Sequence, residues 1–244
     1  MIPPTTFDGY GNIQAAVLFG SCARGDSDDH SDVDIAVFLS CKDLEMLELI
    51  KRELDGRVAP PGANLSIYSC RTGEIMASEG SLFLWHLVIE GKVLYERDSW
   101  MNSLFRKLRP YRAEKALADL STFSAVLADT EKALRYSSGG LLFDAATIYA
   151  ILRNCAMIYS CSVGAPCFGR FEPITKVREA MGTEFPFDNA DLRKLQVLRL
   201  AYTRNPSLPY ETPDSNWCRE SAAKLRTVLE FTKENVRCSS ILKG

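Results

Sequence analysis

Two rhythms of apolar and polar positions run along the chain. Over residues 1–100, short apolar runs bounded by turn residues alternate with amphipathic stretches. The run at 15–19, partly β-branched and aromatic, ends in Gly20-Ser21 and predicts a buried strand closed by a turn. After the polar stretch 26–31, residues 32–39 read as a second strand. Residues 43–54 predict an amphipathic helix ended by Asp55-Gly56, and 57–62 a loop. A third strand is expected at 63–68, a turn at Arg71-Thr72-Gly73, a helix at 78–90 and a short edge strand at 93–96. Beyond Asp98 only helical spacing is found: 111–136, 141–163, 174–181, 188–203 and 216–236. The breaks fall at 137–140, 164–173 and 205–210, rich in Gly, Pro and Ser. Residues 141–163 are apolar almost all round, as in the buried helix of a bundle. The pattern therefore predicts an α+β protein: strands with flanking helices over 1–100, then an all-α bundle of about five helices over 101–244.

Composition narrows the class. The 244 residues are 46% hydrophobic, enough for the cores of one large or two small domains. No apolar run approaches about eighteen residues, so no membrane span is expected. The start, Met1-Ile2-Pro3-Pro4-Thr5-Thr6, lacks the basic and apolar regions of a signal peptide. Eight scattered cysteines form no C-x-x-C pair and have no nearby histidine at zinc spacing. Reduced thiols in a cytoplasmic protein are the expectation. The net charge of −2 is uneven. Residues 1–100 carry 8 basic and 16 acidic side chains, and residues 101–244 carry 21 and 15. An acidic first part suits metal binding. The basic second part suggests an anionic partner.

Candidate chemistry concentrates between residues 15 and 38. Gly20 would let phosphates approach the backbone, and N–H groups at a helix start through Ser21 would favour them. Arg24 could add a charge-assisted contact. His30, in the acidic turn, is a further candidate for phosphate, whereas His86, beside Trp85, reads as packed. Asp32 and Asp34 fall on one face of their strand by the period-2 rule. Two like charges there are costly unless a cation lies between them. Oxygen-only ligands at this spacing suit Mg²⁺, whose remaining ligands normally come from water and substrate phosphates.

Strand, Gly20-Ser21, Arg24, acidic turn and Asp32/Asp34, in that order, resemble the nucleotidyltransferase superfamily of DNA polymerase β, and within it the minimal nucleotidyltransferases. The resemblance extends to about Asp98, with 90–98 similar to the closing helix, glycine and strand of the minimal domain. It implies a mixed β-sheet with flanking helices. It also implies Mg²⁺ held by Asp32 and Asp34, and an NTP, with ATP placed first, bound through Gly20, Ser21 and Arg24. The family's third carboxylate, on the next core strand, is replaced here by Asn64; an alignment shifted by two puts Ser66 there. Asn64 could touch metal or nucleotide but is a poor general base. Glu74 is the candidate base in its stead.

The order of catalytic domain and helices is similar to minimal nucleotidyltransferases fused to a HEPN-type bundle. In the ribonucleases of that type, Arg-Asn is followed by three residues and His. Arg153-Asn154 is present, but Ile158 stands where the histidine would fall, so a binding or docking bundle is expected. The layout also resembles antibiotic nucleotidyltransferases, which implies a small-molecule acceptor. Protein or RNA acceptors stay open, with Tyr159 a conceivable target, as does a catalytically weak nucleotide-binding module. Carboxylates of the bundle that could meet a cationic acceptor are Glu114, Asp119, Asp144 and Glu172. Such proteins commonly dimerise, so a homodimer is a further expectation.

Overall fold

The structure, a computed structural model, describes residues 4–7, 9–27, 32–40, 48–50, 52–54, 63–136, 139–203 and 209–239. The acidic turn at 28–31 with His30, half of the helix expected at 43–54 and the loop at 57–62 lie outside the described residues. Those described at 48–50 and 52–54 are helical. The chain forms two compact units, Met1–Tyr111 and Arg112–Gly244.

In the first unit, strands β1 (Ile13–Phe19), β2 (Val33–Leu39), β3 (Ala63–Ser69) and β4 (Lys92–Glu96) form one sheet in the order β3-β2-β1-β4. β1 runs antiparallel to both β2 and β4, and β2 parallel to β3, so the sheet is mixed as expected. Period-2 alternation sorts the side chains into two layers. Ile35, Val37 and Leu39 join Ile13, Ala16 and Leu65 on one face, together with Ile50 and Leu54 from the helical residues 48–50 and 52–54. Ala36 and Phe38 join Ala15 and Val17 on the other. That second face is covered by α2 (Cys70–Glu79), α3 (Leu82–Glu90) and α4 (Trp100–Lys107), through Ala77, Leu84, Leu87, Met101 and Leu104. Each fully buried Ile, Val, Leu or Phe contributes about 1.5–3 kcal/mol of burial.

Two helices were not expected. Residues 71–73, expected as a turn, lie in the first turn of α2: the Ser69 hydroxyl caps it, accepting from the Thr72 N–H at 3.0 Å. Gly73 is there for closeness. A Cβ on it would lie 3.2 Å from the rings of Phe38 and Trp100. At Gly80 (φ +70°) the chain breaks what was read as one helix at 78–90, and a Cβ would meet the Pro110 carbonyl at 2.4 Å. The short helix α4 belongs to the first unit, which ends after Tyr111; the expected junction was residue 100.

The second unit is helical: α5 (Ala113–Tyr136), α6 (Leu141–Ser162), α7 (Glu172–Met181), α8 (Asn189–Thr203) and α9 (Ser215–Cys238). α6 packs against the other four and is buried around most of its circumference. By length and composition it could cross a membrane, with a mean hydropathy of 1.4 over its most apolar window, but 61% of that window is buried inside the protein. α9 starts on Asp214, whose carboxylate accepts from the N–H groups of Asn216 and Trp217. The seven cysteines among the described residues are free thiols, and burial pushes those of Cys155 and Cys161 up to about 12.

Candidate active site

β1 ends at Phe19, and Gly20 (φ +72°) turns the chain directly into the short helix α1 (Gly20–Arg24). Phe19, at the N-cap of α1, makes no side-chain cap. The left-handed Gly25 closes it by donating to the Ser21 carbonyl at 2.9 Å. The Cys22 thiol donates to the Asp32 carbonyl at 3.4 Å, tying α1 to the entrance of β2.

Register sets the carboxylates against this turn. Phe19 is paired with Asp34 across β1 and β2, so Gly20 arrives beside the Asp34 side chain. A Cβ on Gly20 would lie 2.7 Å from Asp34 Oδ2, well inside van der Waals contact. Glycine is thus demanded twice at this position, by φ and by the carboxylate. Asp34 shares parity with Ala36 and Phe38, and Asp32, two residues earlier, falls on the same side of the strand. Both are half-buried.

β2 and β3 place Asn64 directly opposite Asp34, and Ser66 opposite Ala36. The Asn64 amide Nδ2 donates to Asp34 Oδ1 at 3.2 Å. One oxygen of Asp34 is therefore oriented by Asn64, while the other faces the gap left by the missing Cβ of Gly20. The position opposite Asp34 holds an amide where a third carboxylate would sit.

Residues 5–100 match the family described as polymerase beta, nucleotidyltransferase. They form a nucleotidyltransferase domain of the polymerase β type. Among solved structures, a nucleotidyltransferase-like protein from Exiguobacterium sibiricum 255-15 is 13% identical, with a TM-score of 0.36 over 96% of this chain and 75% of that one. No curated protein matches the chain.

Within this nucleotidyltransferase domain Arg24 has a different setting from the one its sequence position suggested. Its Nη1 donates to Glu90 Oε2 at 2.7 Å and its Nε to Asp26 Oδ2 at 3.2 Å. His86 Nε2 also lies 3.1 Å from Glu90 Oε2, and its ring meets Phe19 edge-on. Burial alone would push the Glu90 carboxyl up, but the hydrogen bonds and charges of His86 and Arg24 outweigh it and hold it at about 2. Arg24 thus ties the last turn of α1 to the end of α3. The pairing spans 66 residues of sequence, and only the His86/Glu90 spacing of one helical turn gave any sign of it.

Glu74 is exposed on α2. Its neighbour Gly73 packs on Phe38, four residues along β2 from Asp34, which is roughly 13 Å at strand rise. The fold does not bring Glu74 to the Asp32/Asp34 pair. Among the described residues, no three of His, Cys, Asp and Glu are arranged to hold a metal. The pair itself fits a hard, oxygen-seeking cation that completes its shell with water and phosphate oxygens. Glycine at position 20 leaves Asp34 Oδ2 the space that a Cβ there would take.

In the second unit, Arg153 turns to its own loop, donating to the carbonyls of Phe168 at 2.6 Å and Gly169 at 3.3 Å. Ile158 and Tyr159 are buried, and the Tyr159 ring packs against Phe231. Of the bundle carboxylates, Asp119 pairs with Lys115, Glu172 with Lys176, Asp144 is buried and Glu114 is exposed.

Proposed function

We propose that this protein is a Mg²⁺-dependent nucleotidyltransferase that moves an NMP from an NTP, with ATP the first donor to try, to an acceptor hydroxyl. The observation that carries the proposal is the Asp34 carboxylate, set between Gly20 and Asn64 with Asp32 two residues before it, in a domain of this family. Asp32 and Asp34 would hold the metal. Bound there, Mg²⁺ would neutralise triphosphate charge and polarise the α-phosphorus. The backbone at Gly20 and Ser21 receives the phosphates, and Asn64 keeps Asp34 in one orientation. Arg24, engaged by Glu90 and Asp26, acts by fixing α1 and not as a free phosphate ligand. Asn64 has no basic atom and takes no proton from the acceptor. Acceleration then comes chiefly from positioning and charge neutralisation.

For the acceptor we propose a small molecule. The buried Tyr159 removes the self-modification target that the sequence offered, and the basic balance of residues 101–244 disfavours a polycation such as an aminoglycoside. A second reading, a nucleotide-binding module with weak turnover, is favoured by one observation: the amide of Asn64 opposite Asp34. Incubation with α-labelled NTPs, Mg²⁺ and panels of small hydroxylic molecules, RNA ends and proteins separates the readings. Label appearing on a small molecule supports the proposal. Label on RNA or protein redirects the acceptor. Tight Mg²⁺–NTP binding with no labelled product on any panel favours the module.

A further inference from the structure

The helices α7 and α8 of the second unit present facing stripes. Phe171, Ile174, Thr175 and Arg178 recur at helical spacing along one, and Asn189, Leu192 and Arg193 along the other. Between them lies a cavity of about 210 Å³. Its floor is apolar, made by the buried Ile174 and Leu192, and the half-exposed Phe171 ring stands at one side.

The polar side of this cavity is one-signed. Two arginines line it and no carboxylate does. Arg178 is held in place: Nη1 donates to Asn189 Oδ1 at 2.7 Å, Nη2 donates to the Phe187 carbonyl at 3.2 Å, and the guanidinium lies 5.5 Å from the centre of the Phe185 ring. Arg193, one turn after Asn189, is exposed, and its side chain has no ion pair or hydrogen bond among the described residues. A fixed guanidinium and an uncommitted one beside an aromatic wall recognise a planar group that carries a negative charge. The volume is below the roughly 300–1,000 Å³ of drug-sized sites, so the occupant is one ring with its charged substituent and not a whole nucleoside triphosphate.

We propose that the α7–α8 cavity is a binding site for a small planar anion, a single aromatic or heteroaromatic ring bearing a carboxylate or a phosphate. The site stands apart from the nucleotidyl-transfer reading, because every residue that forms it lies in the second unit.

Calorimetric titration of the full chain, with chelator present, tests this using benzoate, phenyl phosphate, benzamidinium and inorganic phosphate as probes. The site predicts that at least one of the two ring anions binds, that the tighter of them names the anionic group, and that benzamidinium and ring-free phosphate bind at least about tenfold more weakly. Arg193→Glu and Phe171→Ala, both at exposed positions, each weaken the ring anion by about tenfold or more, while Arg71→Glu on α2 leaves it unchanged. Thermal unfolding of each variant checks that it is folded. Benzamidinium binding as tightly as benzoate, Arg193→Glu binding within about twofold of wild type, or no detectable binding of either anion at about 10 mM overturns the proposal.

Discussion

At position 20 a hydrogen atom in place of a methyl group decides whether the turn and the carboxylate can coexist. Gly20→Ala would force a Cβ to within 2.7 Å of Asp34 Oδ2 at a φ of +72°. The backbone cost alone is about 1 kcal/mol or more, and Asp34 must also move. Thermal unfolding is expected to show the lost stability. Calorimetry is expected to show Mg²⁺-dependent NTP binding weakened by at least about tenfold, and a variant that binds like wild type would deny the pair its role. Asn64→Asp asks the complementary question. It replaces a donor to Asp34 with a like charge directly opposite, costing up to about 1 kcal/mol without metal. Millimolar Mg²⁺ should restore the melting temperature of this variant more than that of wild type. An Asn64→Asp protein whose stability ignores Mg²⁺ would count against a cation at Asp34. Gly20, Ser21, Asp32, Asp34 and even Asn64 could be read from the sequence because strand alternation and order along the chain place them. Glu90 could not: its partner Arg24 is brought to it only by the packing of α1 against α3.

Among the elements, that α1–α3 tie carries a pH signature. Glu90 sits at about 2 in the folded protein against an ordinary 4.5. Its folded value is the lower one, so the stability it contributes is complete above about pH 4.5 and is lost as pH falls toward 2. With solvent screening of this partly buried pair, the shift is worth on the order of 1–2 kcal/mol. Denaturant unfolding of wild type and Glu90→Gln from about pH 5 downward should show wild type losing this increment and the variant, less stable at the start, losing correspondingly less. Parallel curves for the two proteins would mean the ion pair contributes little. The α2 helix shows where local sequence misleads. Thr72-Gly73 has the composition of a turn, yet Ser69 caps a helix there and Gly73 serves to let Phe38 and Trp100 come close. The reason for that glycine lies on β2 and α4, outside any local window. With α2 formed, Glu74 goes to the far end of β2, and the search for a base loses its sequence candidate.

For the whole molecule, the change from alternating strands and helices to helices alone was visible in the hydrophobic pattern, and the five helices of the second unit fall within a few residues of their expected spans. The boundary was less visible. α4 is short, and what assigns it to the first unit is the burial of Met101 and Leu104 against the sheet, a tertiary fact. The two arginines of the α7–α8 cavity were likewise hidden in a general basic excess until the helices set them side by side. The central claim remains the carboxylate pair at the Gly20 turn. Its most direct test is Mg²⁺-dependent pyrophosphate release from ATP and the other NTPs, by wild type and by Asp32→Asn/Asp34→Asn, in the presence of an acceptor panel. The account predicts release by wild type that chelator abolishes and that falls by at least about a hundredfold in the double variant, whose melting temperature in chelator is not lowered. Release that survives the double substitution, or that proceeds equally well in chelator, would contradict it.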